Sequence, residues 1–164
     1  MDWAKITDII LIAAFAVLGV FAFLGLYQWI TRKSLKKVDR SLLAMVSPLG
    51  LMAIVYVVFD KIFILSTRPD GSGEPSFPSS HSMIAATIFF ITILALPKYV
   101  KNKPLRIFLT ILMLALTALI AFGRVAANKH YPLDVVCGLV FTAIFATIYY
   151  FIANPRKKKE KENE

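Results

Sequence analysis

Cysteine is almost missing from this chain. Cys137 stands alone among 164 residues, so an intrachain disulfide is excluded and redox usage does not indicate a compartment. Acidic residues are few, ten against nineteen Lys and Arg, which leaves a net charge of +9. A basic balance raises nucleic acid as a partner, but no aromatic-basic binding motif accompanies the charge. The basic residues instead flank apolar segments, where membrane proteins carry them on the cytoplasmic side. No nucleic-acid partner is expected, and no internal repeat is visible.

What the chain has in quantity is hydrocarbon. Apolar residues make up 58% of it, above the roughly half of a soluble domain, and they cluster in blocks rather than alternating. The fold class read from this is all-α and integral to a membrane, a bundle of about five transmembrane helices. The expected spans are residues 6–30, 42–65, 79–96, 105–122 and 132–152. The first has Trp3 at one end and Tyr27 with Trp29 at the other, an aromatic belt. Its apolar stretch is longer than a signal-peptide core and the basic residues follow it, so it reads as an uncleaved anchor. Pro48 either kinks the second span or marks its true first turn. The third span is short, is expected to be central, and is expected to end at Pro97. Residues 1–153 are read as one transmembrane domain and residues 154–164 as a charged cytoplasmic tail.

Orientation follows from the basic residues. Loops 31–41 and 97–106 and the tail carry fourteen of the nineteen; Lys5, Lys61, Arg68, Arg124 and Lys129 lie on the other side. The positive-inside rule places the fourteen in the cytoplasm, with the N-terminus outside and the C-terminus inside. Two polar stretches then share the extracytoplasmic face: KIFILSTRPDGSGEPSFPSSHS, from Lys61 to Ser82, and GRVAANKHYPLD, from Gly123 to Asp134. Charged groups beside membrane segments are costly and mark function.

Lys61 and Arg68 are seven apart and share a face if the helix continues between them. Taken alone, Lys61 also fits a side chain snorkelling to the interface. His130 and Asp134 are four apart at the start of the fifth span, a spacing that lets the carboxylate accept the imidazole Nδ1 proton. A metal site is the obvious rival for two histidines and an aspartate, but Lys61, Arg68 and Arg124 would repel a divalent cation. Three cationic donors suit an oxyanion, above all phosphate, and a helix N-terminus at Ser79–His81 adds backbone N–H groups. No metal and no cofactor are expected. In this reading His130, oriented by Asp134, attacks phosphorus. His81 protonates the leaving oxygen and then helps activate water. The cations stabilise charge on the equatorial oxygens.

These residues resemble the signatures of the type 2 phosphatidic acid phosphatase superfamily. They stand here as Lys61-IFILST-Arg68-Pro69, Pro78-Ser79-Ser80-His81 and Gly123-Arg124-VAANK-His130-YPL-Asp134. Order and spacings match. Ser80 replaces a glycine of the pattern and Gly123 a serine, and the family commonly has six helices where five are counted here. The resemblance implies a metal-independent phosphatase working through a phosphohistidine. His130 is then the nucleophile, Asp134 its orienting partner and His81 the acid; Lys61, Arg68, Ser79, Ser80 and Arg124 form the phosphate cradle. Lipid phosphates are the implied substrates: undecaprenyl pyrophosphate first, with phosphatidylglycerophosphate and phosphatidate as alternatives. A lipid phosphotransferase and, outside enzymes, a lipid or phosphate transporter are the rivals. Beyond substrate and membrane lipids no partner is implied.

Overall fold

The computed structural model describes residues 1–155, so the expected tail of 154–164 lies almost wholly outside the described residues. Among the described residues five stretches are long and apolar enough to cross a membrane, and their residues run in blocks that leave helix as the only way to satisfy the backbone in hydrocarbon. α1 is Trp3–Arg32. The second crossing, Arg40–Ile62, is built from α2 (Arg40–Ala44), α3 (Val46–Val57) and a π turn at Val58–Ile62. α4 is Ser80–Tyr99, α5 Lys103–Ala126 and α6 Pro132–Ala153. The start signals are local. Asp2 caps α1 by accepting from the Lys5 amide, and Asn102 caps α5 by accepting from Leu105 at 2.9 Å. Pro104 and Pro132 sit in the first turns of α5 and α6, where a missing N–H costs nothing.

Pro48 explains the break in the second crossing. It cannot donate to the Ala44 carbonyl four residues back, and the Ser47 hydroxyl takes that carbonyl at 2.9 Å while the helix restarts at Val46. Pro97 behaves differently from expectation. α4 runs through it to Tyr99, because the proline falls in the last turn and only one carbonyl loses its donor. Val100 still bonds Leu96 at 2.8 Å, and the Tyr99 hydroxyl meets Ser41 at 2.9 Å.

α4 is the central helix, with 61% of its apolar window buried against 17% for α1 and α5. It packs on α6, α5 and α1. Ala85, Ile88 and Phe89 meet Ile10, Ala14 and Ile120 on one side; Met83 meets Met52 and Phe145 on the other. The large apolar side chains of α1, α5 and α6 that remain exposed, such as Ile12, Phe108 and Val140, form the lipid-facing surface. α4 and α6 come closest at their starts. A Cβ on Gly138 would sit 3.2 Å from the Ser79 carbonyl and 3.5 Å from Met83 Cβ, and Thr142 bonds Thr87 at 3.2 Å and the Met83 carbonyl at 3.3 Å.

The bundle has two chemically distinct ends. At one, Asp39 caps α2 and pairs with Lys98, and Arg40 donates to the Ile152 carbonyl at 2.7 Å, which gathers the basic loops. At the other end stand residues 63–79 and 127–131. Gly138→Val should overpack the α4–α6 contact by about 1–3 kcal/mol. The expected result is a lower thermal midpoint in detergent; an unchanged midpoint would contradict the close approach.

Candidate active site

The segment after Ile62 is a closed loop. Thr67 bridges Pro75, the Arg68 amide donates to the Glu74 carbonyl at 2.9 Å, and the Ser76 amide to the Ser66 carbonyl at 2.9 Å. Gly71 and Gly73, at φ +78° and +73°, make the turn in a region that side chains disfavour. The loop ends with the Ser79 amide donating to the Asp134 carbonyl at 3.0 Å, which ties it to α6. On the other segment, the Lys129 and His130 amides both turn back onto the Arg124 carbonyl, at 3.1 and 3.3 Å, with Asn128 left-handed just before them. That turn explains the five-residue spacing: it folds His130 over the side chain of Arg124.

Four side chains then lock together in a buried cluster. His130 Nδ1 lies 2.8 Å from the Ser76 carbonyl, and Arg124 Nη2 lies 3.3 Å from His130 Nε2. A carbonyl only accepts and a guanidinium only donates, so Nδ1 carries the proton and Nε2 carries the lone pair. The sequence spacing suggests that Asp134 accepts the Nδ1 proton, but the carboxylate is 4.0 Å away and the Ser76 carbonyl takes that place. Asp134 accepts instead from the Ser76 hydroxyl and, at 3.0 Å, from the Tyr131 amide. The carboxylate therefore orients the histidine through Ser76. Burial first, and the Arg124 charge second, pull the His130 imidazole down to about 4; Arg68 acts in the same direction, and the Ser76 carbonyl and Asp134 oppose.

His81, on the first turn of α4, places Nε2 3.3 Å from Asp8 Oδ1, which can only accept from it, and Arg124 Nη1 lies 3.9 Å from the same oxygen. Arg124 is 3% exposed, and its Nε has no acceptor among the described residues. Arg68 pairs with Glu74 and donates to the Pro75 carbonyl at 3.3 Å. The amides of Ser80, His81 and Ser82 lie in the first turn of α4, where no helical acceptor exists. The Ser79 amide is used by Asp134, and its hydroxyl donates to Ser82 at 3.1 Å.

Lys61 is the one predicted member not drawn in. The reading that it shares a helical face with Arg68 fails, because the π turn ends at Ile62 and the chain beyond it is not helical. Lys61 pairs with Asp60 at 2.7 Å and is 63% exposed. Lys129 bonds Asp70 at 2.7 Å and so clasps the two loops together, which holds the Asp70 carboxyl well below its usual range.

A model of the PAP2 superfamily matches residues 11–158. The chain belongs to that superfamily, the type 2 phosphatidic acid phosphatases. Membership gives the coarse activity, a membrane phosphatase acting on lipid phosphates. No curated protein matches the chain in sequence. Among solved structures it is similar to the crystal structure of a transmembrane PAP2-type phosphatidylglycerophosphate phosphatase from Bacillus subtilis. The TM-score is 0.64 at 20% identity, over 93% of this chain and 76% of that one.

For this PAP2 chain, sequence reasoning missed Ser76 and Asp8. Asp8 carried a signal, a carboxylate inside an apolar span; Ser76 carried none, since the atom nearest His130 Nδ1 is its backbone carbonyl. Two outcomes follow. Ser76→Ala, which keeps that carbonyl and deletes the link to Asp134, should lower kcat/KM about tenfold (~1.4 kcal/mol). Imidazole 15N spectra at about pH 5.5 should find His130 neutral with Nδ1 protonated, and Arg124→Ala should move its midpoint up toward the ordinary value of about 6.5. In that window the unfolded chain binds the proton that the folded one refuses, so stability falls as pH drops from about 6.5 toward 4.

Proposed function

We propose that the protein hydrolyses a lipid diphosphate without a metal, through a phosphohistidine on His130, and that undecaprenyl pyrophosphate, converted to undecaprenyl phosphate for cell-wall synthesis, is the substrate. The observation that carries the chemistry is the pairing of His130 Nε2 with the Arg124 guanidinium at 3.3 Å. A phosphoryl group entering between them meets a lone pair on one side and donors on the other. Nε2 attacks phosphorus, the bond to the leaving oxygen breaks, and His81 supplies that oxygen with a proton. Water, deprotonated by His81, then attacks the phosphorus, and Nε2 leaves with its lone pair restored. Arg68, Arg124 and the free amides of α4, Ser80 among them, bear the charge on the equatorial oxygens. The Ser79 carbonyl and amide hold the start of α4, Asp134 orients the nucleophile through Ser76, and Lys61 is left outside the first circle of contacts.

Two guanidinium groups beside the histidines disfavour a divalent ion electrostatically, which supports a metal-independent route. The N-terminus and the site face outward, since fourteen of the nineteen basic residues belong to the opposite end and the tail. A site at helix ends lets a phosphate enter while its hydrocarbon tail stays in lipid. That geometry also serves phosphatidylglycerophosphate, phosphatidate and a phosphotransfer acceptor, so substrate comparison decides the name.

Phosphate release from undecaprenyl pyrophosphate by detergent-purified protein should survive excess chelator and vanish in His130→Ala. It should exceed release from phosphatidate and phosphatidylglycerophosphate run in parallel. Loss of activity with chelator would replace the oxyanion reading with a metal site. A reversed substrate ranking would move the assignment to the other lipid.

A further inference from the structure

We infer that Thr7 of α1 is a positioning residue for Arg124, delivering from the first membrane helix a hydroxyl that holds the guanidinium against the site. This rests on the phosphatase reading above and adds to it a residue outside the three motifs. Gly123 of α5 faces Thr7 across the contact with α1. A Cβ built there would lie 2.6 Å from Thr7 Cγ2, 3.4 Å from Trp3 Cε3 and 3.9 Å from the Trp3 carbonyl. Any side chain at 123 is therefore excluded by the close approach of α1, and the Thr7 methyl occupies the space. Trp3 closes the same contact edge-on to Phe122, with centroids 5.2 Å apart.

The Thr7 hydroxyl is fixed and has a free lone pair. Its single proton goes to the carbonyls of Ala4, at 2.8 Å, and Trp3, at 3.1 Å. The oxygen is left to accept from Arg124 Nη1 at 3.5 Å. The bonds to the carbonyls of its own helix hold the Thr7 hydroxyl in the rotamer that faces Arg124. Arg124 is then held at two points, Nη1 on Thr7 and Nη2 on His130, and two points fix the plane of a guanidinium. Its Nε, unpartnered among the described residues, keeps its donor for an oxyanion. Asp8 also reaches Nη1, at 3.9 Å, but its side chain is 56% exposed while Thr7 is fully buried. A phosphate can displace Asp8; it cannot displace Thr7.

The test separates the hydroxyl from the methyl. Thr7→Val keeps the shape and deletes the hydroxyl; Thr7→Ser keeps the hydroxyl and deletes the methyl. Thr7→Ala with Gly123→Ala restores a methyl in the hollow from the other helix and leaves the hydroxyl out. Readouts are kcat and KM for phosphate release from undecaprenyl pyrophosphate and from phosphatidate, thermal midpoint, and the rise of that midpoint with orthovanadate. Expected are a loss of about tenfold in kcat for Thr7→Val and for the double variant, with near-normal midpoints and a reduced vanadate effect. Thr7→Ser should stay within about twofold of wild type. Wild-type rates in Thr7→Val or in the double variant would overturn the inference, as would a Thr7→Ser variant as slow as Thr7→Val. Turnover that persists in His130→Ala would overturn the histidine mechanism while leaving the Thr7 comparison readable. Wild-type protein with neither turnover nor vanadate stabilisation would overturn both.

Discussion

His130 sits between a group that can only accept a proton and a group that can only donate one, and the rest of the site is arranged to keep it there. The Ser76 carbonyl takes the Nδ1 proton at 2.8 Å; the Arg124 guanidinium faces Nε2 at 3.3 Å. Together they leave the imidazole one tautomer, with its lone pair aimed at a cation. The closed loop of residues 63–79 exists to deliver that carbonyl. The turn through Asn128 folds the histidine back over the arginine, and Asp134 holds both ends, through its side chain to Ser76 and its backbone to Ser79. A neutral, buried imidazole beside a positive charge is the state in which nitrogen can attack phosphorus without first losing a proton.

The membrane helices convert this local arrangement into a stable one. α4 and α6 approach closely at Gly138 and share threonine contacts below it, so His81 and Asp134, with Ser79 and His130 just before the two helices, sit at the starts of elements that cannot slide independently. α1 and α5 face lipid over most of their length. Yet at the polar end they meet tightly enough that residue 123 can carry no side chain, and this brings Thr7 and Asp8 to Arg124 and His81. The site is thus closed on its fourth side by the helix that reads, from composition, as a plain anchor.

Much of this was legible beforehand, for identifiable reasons. Blocks of apolar residues leave helix as the only backbone solution in lipid, so five crossings and a central third helix could be expected. The return of the chain between residues 81 and 124 places both polar stretches at one end. What was not legible depended on backbone. Ser76 meets His130 through a carbonyl that every residue has, and Asp134 reaches the histidine by holding the Ser76 hydroxyl rather than directly. The shared face of Lys61 and Arg68 presumed a helix that a π turn terminates at Ile62. Pro97 fell two residues before its helix ended, where a lost donor matters little. Gly123 looked like a missing hydroxyl and is, in space, a neighbour of one.

The most direct test of the account is the position of the phosphoryl group on the trapped enzyme. When the enzyme turning over a lipid diphosphate is quenched rapidly into alkali, 31P spectroscopy with mass-spectrometric mapping should place phosphorus on Nε2 of His130. Phosphate on Nδ1, on an aspartate, or on no residue at all would contradict the tautomer on which the whole arrangement depends.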